Sequence, residues 1–318
     1  MASPTSPPQQ TQILLIGLGE LGLALYSQIC TIPNTHITLG IRSPSRHTHL
    51  ASPTTSLLQL DVTSPSPTLI PLLSAFNIII SATGYGEFSS RLPKLAQDVL
   101  SAGRLRKSQG KSKIWFFPWQ WGCDFDVTGD VGGLMPLFGV QKQIRGLLRK
   151  EAQEAGVQWT VVSTGLFMSF LFEPFWGVVD REEEGTGEQI TVRCLRGWDH
   201  SVSVTDVCDI GRVLKRILEG DVEAANTVLR IAGDTITYGE LAEIMERVGG
   251  RKVLRESWSV QHLQKELQRD PENLVNRYRV AFSGEGVYWP MEGTVNHRLG
   301  MEMTDVETYA KKRLSVEK

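Results

Sequence analysis

The sequence predicts an α/β fold, with a doubly wound parallel sheet followed by a smaller, mixed α+β C-terminal lobe. Short apolar runs alternate with helical stretches over residues 12–163, which is typical of parallel strands that are buried on both faces. After residue 163 the alternation loosens into a mixture of helices and strand-like runs. We therefore expect a flexible leader at residues 1–11, a sheet domain at 12–164, and a lobe at 165–318 that is partly interleaved with the sheet.

Each predicted strand is a short apolar run that ends at a polar or turn residue, as the run from Ile13 to Ile16 ends at Gly17. The predicted strands of the sheet domain are 13–16, 36–41, 57–60, 77–81, 113–117 and 159–162. The predicted helices between them are 20–30, 69–75, 92–102 and 138–155. In the second lobe we expect a strand at 189–194, helices at 207–218, 237–248 and 260–268, and a solvated turn at 181–189.

Composition excludes several classes of function. The chain has 318 residues, 41% of them hydrophobic, and a net charge of −2, so no basic excess favours nucleic acid. No apolar run reaches the roughly 20 residues that a membrane span needs. The cysteines are too scattered for a zinc site or a redox dithiol, so we expect no metal. The N-terminus lacks the pattern of a signal peptide, and we expect a cytoplasmic protein, either a monomer or a homodimer.

A glycine motif lies between the first strand and the first helix. Residues 17–22 read Gly-Leu-Gly-Glu-Leu-Gly and match G-x-G-x-x-G in the context of a Rossmann-type dinucleotide site. Gly17 permits the tight turn, Gly19 lets the backbone approach a pyrophosphate, and Gly22 lets the helix pack closely on the strand. Glu20 and Leu21 begin the helix whose N-terminus favours the negative charge. The alternative is an ordinary glycine-rich turn.

The end of the second strand indicates which dinucleotide binds. NAD-binding folds usually carry a carboxylate there for the ribose 2′-hydroxyl, whereas this strand is followed by Arg42, Ser43 and Arg46. Arginine offers a planar fork to a 2′-phosphate, so NADP(H) is favoured over NAD(H), although these could be surface arginines. The other cofactor contacts that we expect are Asp61 and Val62 beside the adenine, and Ala82, Thr83 and Gly84 after the fourth strand.

Together with the glycine loop and Arg42, two further segments carry a family resemblance. They are residues 116–122 (Phe-Phe-Pro-Trp-Gln-Trp-Gly) and 141–145 (Gln-Lys-Gln-Ile-Arg). The chain resembles the NmrA-like and isoflavone-reductase-like proteins, which are atypical short-chain dehydrogenases, and its tryptophans are most similar to the fungal branch. The resemblance implies that Pro118, Trp119 and Gln120 contact NADP(H).

The resemblance also implies a catalytic lysine four residues before Arg145, but Gln141 stands there and Lys142 follows. One residue along a helix is a rotation of about 100°, so the two side chains point differently. Either Lys142 serves as the proton donor after a shift of the helix, or Gln141 replaces the lysine and the proton comes from elsewhere. Phe138 and Lys142 have the spacing of the Tyr-x-x-x-Lys pair in typical short-chain dehydrogenases, but Phe138 lacks the hydroxyl that would donate the proton. Tyr85 is a second candidate donor for the anion that hydride transfer creates.

Aromatic and apolar residues follow the carboxyl ends of the predicted strands, where open parallel sheets bind ligands. The expected substrate-pocket residues are Trp121, Phe125, Phe167, Met168 and Phe170. Such a lining suits a small hydrophobic, aromatic or polyketide-like metabolite, although some of these residues could instead cement the lobe. The leading hypothesis is an NADPH-dependent reductase of an enone, imine or benzylic ether in secondary metabolism. The alternatives are a dinucleotide-sensing regulator without turnover and a non-redox cyclase or isomerase.

Overall fold

The computed structural model describes residues 10–83, 91–181 and 189–316. The chain forms two compact units, each assembled from three stretches of sequence. The first unit comprises Met1–Trp119, Gln143–Val161 and Gly211–Val228, and the second comprises Gln120–Lys142, Val162–Ile210 and Leu229–Lys318. The functional boundary that we expect after residue 164 stays a prediction.

Strands and helices are numbered in chain order. The strands are β1 (Thr11–Ile16), β2 (Thr35–Ile41), β3 (Thr55–Gln59), β4 (Ile78–Ser81), β5 (Ile114–Phe117), β6 (Val157–Ser163), β7 (Leu166–Phe167), β8 (Val179–Arg181), β9 (Ile190–Leu195), β10 (Ser201–Thr205), β11 (Thr227–Arg230), β12 (Asp234–Thr237) and β13 (Leu254–Trp258). The helices are α1 (Glu20–Ile29), α2 (Ser66–Leu73), α3 (Arg91–Ser108), α4 (Phe125–Thr128), α5 (Pro136–Glu151), α6 (Val207–Leu218), α7 (Tyr238–Gly249), α8 (Val260–Arg269), α9 (Leu274–Phe282), α10 (Val295–Arg298) and α11 (Val306–Val316).

The larger sheet has, among the described residues, seven strands in the order β11-β6-β5-β4-β1-β2-β3. The strands β1 to β6 pair with one another in parallel. In β1 the side chains of Ile13, Leu14 and Leu15 are completely buried, because helices cover parallel sheets on both faces. The chain runs from β1 to β2 and β3 on one side and then crosses to β4 on the other, which makes β1 and β4 the switch point where such sheets bind ligands. The predicted α/β fold class is confirmed.

The described part of the second unit contains two three-stranded sheets, β12-β10-β7 and β13-β9-β8. Strand β10 pairs with β12 in antiparallel and with β7 in parallel, so this part of the chain is mixed. Its core includes Met168, Val192 and Tyr238, each without exposed surface. Residues 182–188 of the predicted solvated turn lie outside the described residues. Among the described helices, none has both the length and the apolar composition of a membrane span.

Candidate functional site

The loop between β1 and α1 has a shape that only glycine permits at two positions. Gly17 has φ +96°, and a Cβ on it would lie 2.5 Å from the carbonyl oxygen of Ala82. A Cβ on Gly22 would lie 2.2 Å from the carbonyl oxygen of Gly17. Both obstacles are main-chain atoms that cannot rotate away, so side chains at these positions would force β1, α1 and β4 apart.

Gly19 differs from these two glycines because its surroundings are open. A Cβ on Gly19 would meet no heavy atom of the described residues within 4 Å. Gly19 is the N-cap of α1 at φ −73°, and it provides no side-chain cap for the first turn. The first amides of a helix have no partner within the helix and carry partial positive charge. Gly19 and Glu20 are exposed, so this turn has the geometry of an anion-binding helix N-terminus. The next residue, Leu21, is buried.

The residues after β2 and β3 form a charged surface in the first unit. Arg42, Ser43 and Arg46 are exposed. The pKa of Asp61 lies below its usual value, chiefly because the main chain and side chain of Thr63 donate hydrogen bonds to it, and the positive charge of Arg42 contributes. The Thr63 amide lies 2.8 Å from Asp61 Oδ1. Arg42 is thus close enough to a carboxylate to lower its pKa, and it offers an exposed guanidinium at the end of β2.

The residues after β3 and β4 are described in part. Val62 and Thr83 are half-buried. Ala82 is buried, and its amide donates to the carbonyl of Ile16 at 2.8 Å, which fixes the start of the loop after β4 beside β1. Gly84 and Tyr85, predicted as a cofactor contact and a proton donor, lie outside the described residues.

The segment after β5 is held in place by hydrogen bonds within the second unit. Gln120 is 1% exposed, and its Nε2 donates to the carbonyl oxygen of Gln141 at 2.9 Å. The Gly122 carbonyl accepts from the amides of Thr164 at 2.9 Å and Gly165 at 3.1 Å. Of the neighbouring residues in the first unit, Pro118 is buried and Trp119 half-buried. The predicted cofactor contact at Gln120 therefore also holds the main chain of α5.

Gln141 and Lys142 have opposite environments on α5. The side chain of Gln141 is 1% exposed, and its Oε1 has no hydrogen-bond partner among the described residues. Lys142 is exposed, and its Nζ donates to the carbonyl oxygen of Asp126 at 3.3 Å. Phe138 is buried against the rings of Phe125 and Tyr278, with centroids 5.1 and 5.6 Å away. The buried face of this helix within the second unit thus carries a neutral amide and an apolar ring.

The predicted pocket residues fall into two groups. Trp121, Phe125 and Met168 are buried, and the last two belong to the core of the second unit. Phe167 and Phe170 are half-buried, with ring centroids 6.3 Å apart. That their rings line a substrate pocket stays a prediction.

Two further residues lie near these segments: Phe175, which follows the predicted pocket residues in the sequence, and Asp124, which sequence reasoning missed. The ring of Phe175 lies 5.6 Å from that of Phe170 and is 51% exposed. Buried Asp124 caps α4 and accepts from Arg230 at 2.5 Å. No local pattern in the sequence links Asp124 to a residue on β11. Among the described residues, no group of three or more His, Cys, Asp or Glu side chains is arranged to bind a metal.

Comparison with known proteins supplies the family. The profile of the NmrA-like family matches residues 115–310. A protein from Gibberella moniliformis, named an NmrA-like family domain-containing oxidoreductase, is 35% identical over 314 residues, which are 94% of this chain and 97% of the relative. The family predicted from the glycine loop and the segments at 116–122 and 141–145 is confirmed.

Two solved structures are similar at lower identity. Leucoanthocyanidin reductase from Vitis vinifera, in its binary complex with NADPH, has a TM-score of 0.73 and 17% identity, covering 96% of this chain and 99% of that chain. The NADPH-dependent quinone oxidoreductase QOR2 from Escherichia coli, complexed with NADPH, has a TM-score of 0.71 and 18% identity, covering 95% and 99%. These two likenesses show the fold, and the profile and the Gibberella relative show the family. The chain belongs to the NmrA-like family.

Proposed function

We propose that the protein is an NADPH-dependent oxidoreductase that reduces a small hydrophobic molecule by hydride transfer, with an enone, imine or benzylic ether as the reducible group. The observation that carries the proposal is the loop from Gly17 to Gly22. Two of its glycines are required by main-chain contacts, and Gly19 leaves open space at the start of α1. That combination supports binding of a pyrophosphate.

The residues after β2 support the choice of NADP(H). An exposed Arg42, followed by Ser43 and Arg46, offers hydrogen-bond donors where NAD-binding folds place a carboxylate. The two similar solved structures are complexes with NADPH, and the Gibberella relative is named an oxidoreductase. When bound, NADPH supplies the hydride. This chain's residues would hold the pyrophosphate and 2′-phosphate, and aromatic side chains such as Phe167 and Phe170 would exclude water from a hydrophobic substrate.

The test is a titration of the purified chain with NADPH, NADP⁺, NADH and NAD⁺. We expect NADPH to bind more tightly than NADH, and Arg42→Ala to weaken NADPH binding about tenfold or more while leaving NADH binding unchanged. Arg104→Ala is the matched control, because Arg104 is an exposed arginine on α3 paired with Glu151 at 2.6 Å. Equal loss of both dinucleotides in Arg42→Ala would refute recognition of the 2′-phosphate, and no binding by the wild type would refute the proposed function.

The environment of α5 favours a second candidate, a dinucleotide-sensing regulator without turnover. Gln141 is buried and neutral, Lys142 is exposed, and Phe138 has no hydroxyl. Among the described residues, the buried face of α5 within the second unit therefore presents no side chain that can donate a proton to a reduced substrate. Steady-state oxidation of NADPH in the presence of a panel of enones, imines and quinones separates the two candidates. Turnover above the rate without protein supports the reductase, whereas tight binding of NADP⁺ without turnover of any panel member supports the regulator.

A further inference from the structure

Serine followed by proline recurs near the start of the chain and does not occur later. The dipeptide occurs six times, and all six pairs lie within the first 67 residues. The serines are Ser3, Ser6, Ser43, Ser52, Ser64 and Ser66. A Ser-Pro pair is the shortest sequence that proline-directed protein kinases recognise, so these serines are candidates for phosphorylation. Ser3 and Ser6 lie outside the described residues, and the other four belong to the first unit.

Among the four described serines, Ser43 has the hydroxyl that is most available to a second protein. Ser64 and Ser66 are half-buried. Ser52 is exposed, but its Oγ lies 3.4 Å from Thr54 Oγ1 and accepts from the Thr54 amide at 3.3 Å. Ser43 is exposed, and its hydroxyl has no hydrogen-bond partner among the described residues. Its oxygen is therefore open to reaction.

The segment that follows Ser43 can open without disturbing the core of the first unit. Residues Pro44–Leu50 form two short 3₁₀ turns joined at His47, where φ is −126°, and none of these residues is buried. A segment that buries no side chain opens at low cost, because few contacts are lost. A protein kinase binds its substrate as an extended segment, and this one can be extended while β2, which ends at Ile41, stays folded.

Two arginines flank Ser43. Arg42 precedes it, and Arg46 follows in a turn in which the Arg46 amide donates to the Ser43 carbonyl oxygen at 3.3 Å. A turn of this kind brings its first and fourth Cα atoms within about 7 Å. All three side chains are exposed. A phosphate on Ser43 would carry a charge of about −1.5 to −2 and three acceptor oxygens, so it would attract the guanidinium groups that the proposed function assigns to the 2′-phosphate.

We propose that Ser43 is a phosphorylation site at which a proline-directed protein kinase lowers the affinity for NADPH. This inference rests on the proposed function. Ser43 Oγ attacks the γ-phosphorus of ATP, so that an Oγ–P bond forms, the bond to the β,γ-bridging oxygen breaks and ADP leaves. The hydroxyl proton passes to the catalytic base of the kinase. The phosphoserine then pairs with Arg42 and Arg46 and repels a second phosphate. NADH has no 2′-phosphate, so its binding does not depend on these arginines.

The test treats the full chain with ATP and a purified mitogen-activated protein kinase, which is a proline-directed enzyme, and locates the phosphate by mass spectrometry. The affinities for NADPH and NADH are measured by calorimetry before and after treatment of the wild type and Ser43→Ala. Ser43→Asp and Ser52→Asp supply a fixed negative charge without a kinase. Ser52→Asp is the matched control, because Ser52 is the other exposed serine of the described Ser-Pro pairs. Melting temperatures verify that each variant is folded.

We expect phosphorylation of Ser43 to weaken NADPH binding about tenfold or more, and at least as much as Arg42→Ala does, because it neutralises Arg42 and adds an anion. NADH affinity should change by less than about twofold. Ser43→Asp should weaken NADPH binding in the same way, whereas Ser52→Asp should bind both dinucleotides as the wild type does. Kinase treatment should leave the NADPH affinity of Ser43→Ala at its own untreated value, and a phosphatase should restore NADPH binding by the treated wild type.

Two results would overturn this inference and leave the proposed function standing, provided that the untreated wild type binds NADPH in a way that depends on Arg42. One is the absence of phosphate from Ser43 after treatment, and the other is an unchanged NADPH affinity in protein that carries phosphate there. Failure of the untreated wild type to bind NADPH would overturn the inference and the proposed function together.

Discussion

Two substitutions in the glycine loop, Gly22→Ala and Gly19→Ala, should separate its effect on stability from its effect on ligand binding. In Gly22→Ala the new Cβ lies 2.2 Å from the Gly17 carbonyl oxygen, against 3.4 Å or more for an ordinary contact. The loop and α1 must therefore separate by about 1 Å, and overpacking of this kind costs about 1–3 kcal/mol. Chains of about 150–250 residues lose about 2–4 °C per kcal/mol, so we expect the melting temperature to fall by about 2–12 °C.

Gly19→Ala is expected to behave differently. Its backbone is already in a region open to alanine, at φ −73°, and its Cβ meets nothing among the described residues. Alanine restricts the unfolded chain more than glycine does, which favours folding by about 0.4–1 kcal/mol. Alanine is also a poorer N-cap than glycine. The two effects oppose each other, so stability should change by less than about 1 kcal/mol. The methyl group nevertheless projects into the space where a pyrophosphate would approach. We expect NADPH binding to weaken about tenfold or more.

The assay pairs differential scanning fluorimetry with NADPH titration for both variants and a control. Gly146→Ala is the control, because Gly146 is an exposed glycine of α5 with nothing within 4 Å of its Cβ among the described residues. Alanine there should stabilise the helix by about 1 kcal/mol and leave binding unchanged. Wild-type NADPH affinity in Gly19→Ala, or a wild-type melting temperature in Gly22→Ala, would refute the role that we derive for the corresponding glycine.

Three further predictions concern the second unit. Hydrogen bonds from Arg247 and Lys311 lower the pKa of Glu307 from 4.5 to about 2, so this carboxylate stabilises the fold above pH 4.5 and that contribution is lost as the pH falls towards 2. The melting temperature of Glu307→Gln should accordingly vary less with pH over this range. Burial lowers the pKa of His200 below 6.5, so stability should fall as the pH drops from 6.5 through the folded-state pKa, and His200→Gln should flatten that slope in urea titrations. Phe138→Ala should cost about 3–5 kcal/mol in chemical denaturation, and a loss below about 1 kcal/mol would show that its ring is not a core contact.

The larger sheet could be predicted because its strands are continuous apolar runs. The strand predicted at 13–16 is observed as Thr11–Ile16, and the strand predicted at 77–81 is observed as Ile78–Ser81. Strands covered on both faces need apolar side chains at successive positions, and this is a local signal. Strand β11 was missed although it joins the same sheet, because the four residues Thr227–Arg230 are too few to show a period.

In the small sheets, β9 was predicted at 189–194, whereas β10 could not be predicted, for a different reason. In β10, Ser203 and Thr205 are completely buried, and their hydroxyls bond to Thr235 at 2.8 Å and to the Thr164 carbonyl at 2.6 Å. Polar residues in a short segment indicate a loop when the sequence is read alone. Here their hydrogen-bond partners come from distant parts of the chain, which satisfies the buried groups and which no local pattern records.

The same limitation applies to α5. The predicted helix at 138–155 contains apolar Ile144, Leu147 and Leu148 at helical spacing. The structure buries Ile144 and Leu148, and it also buries Gln141 and Arg145. Hydropathy would expose both of these polar side chains, since glutamine and arginine are rarely buried. The sequence therefore predicted the helix and identified position 141 through family resemblance, but the environment of Gln141 required the structure.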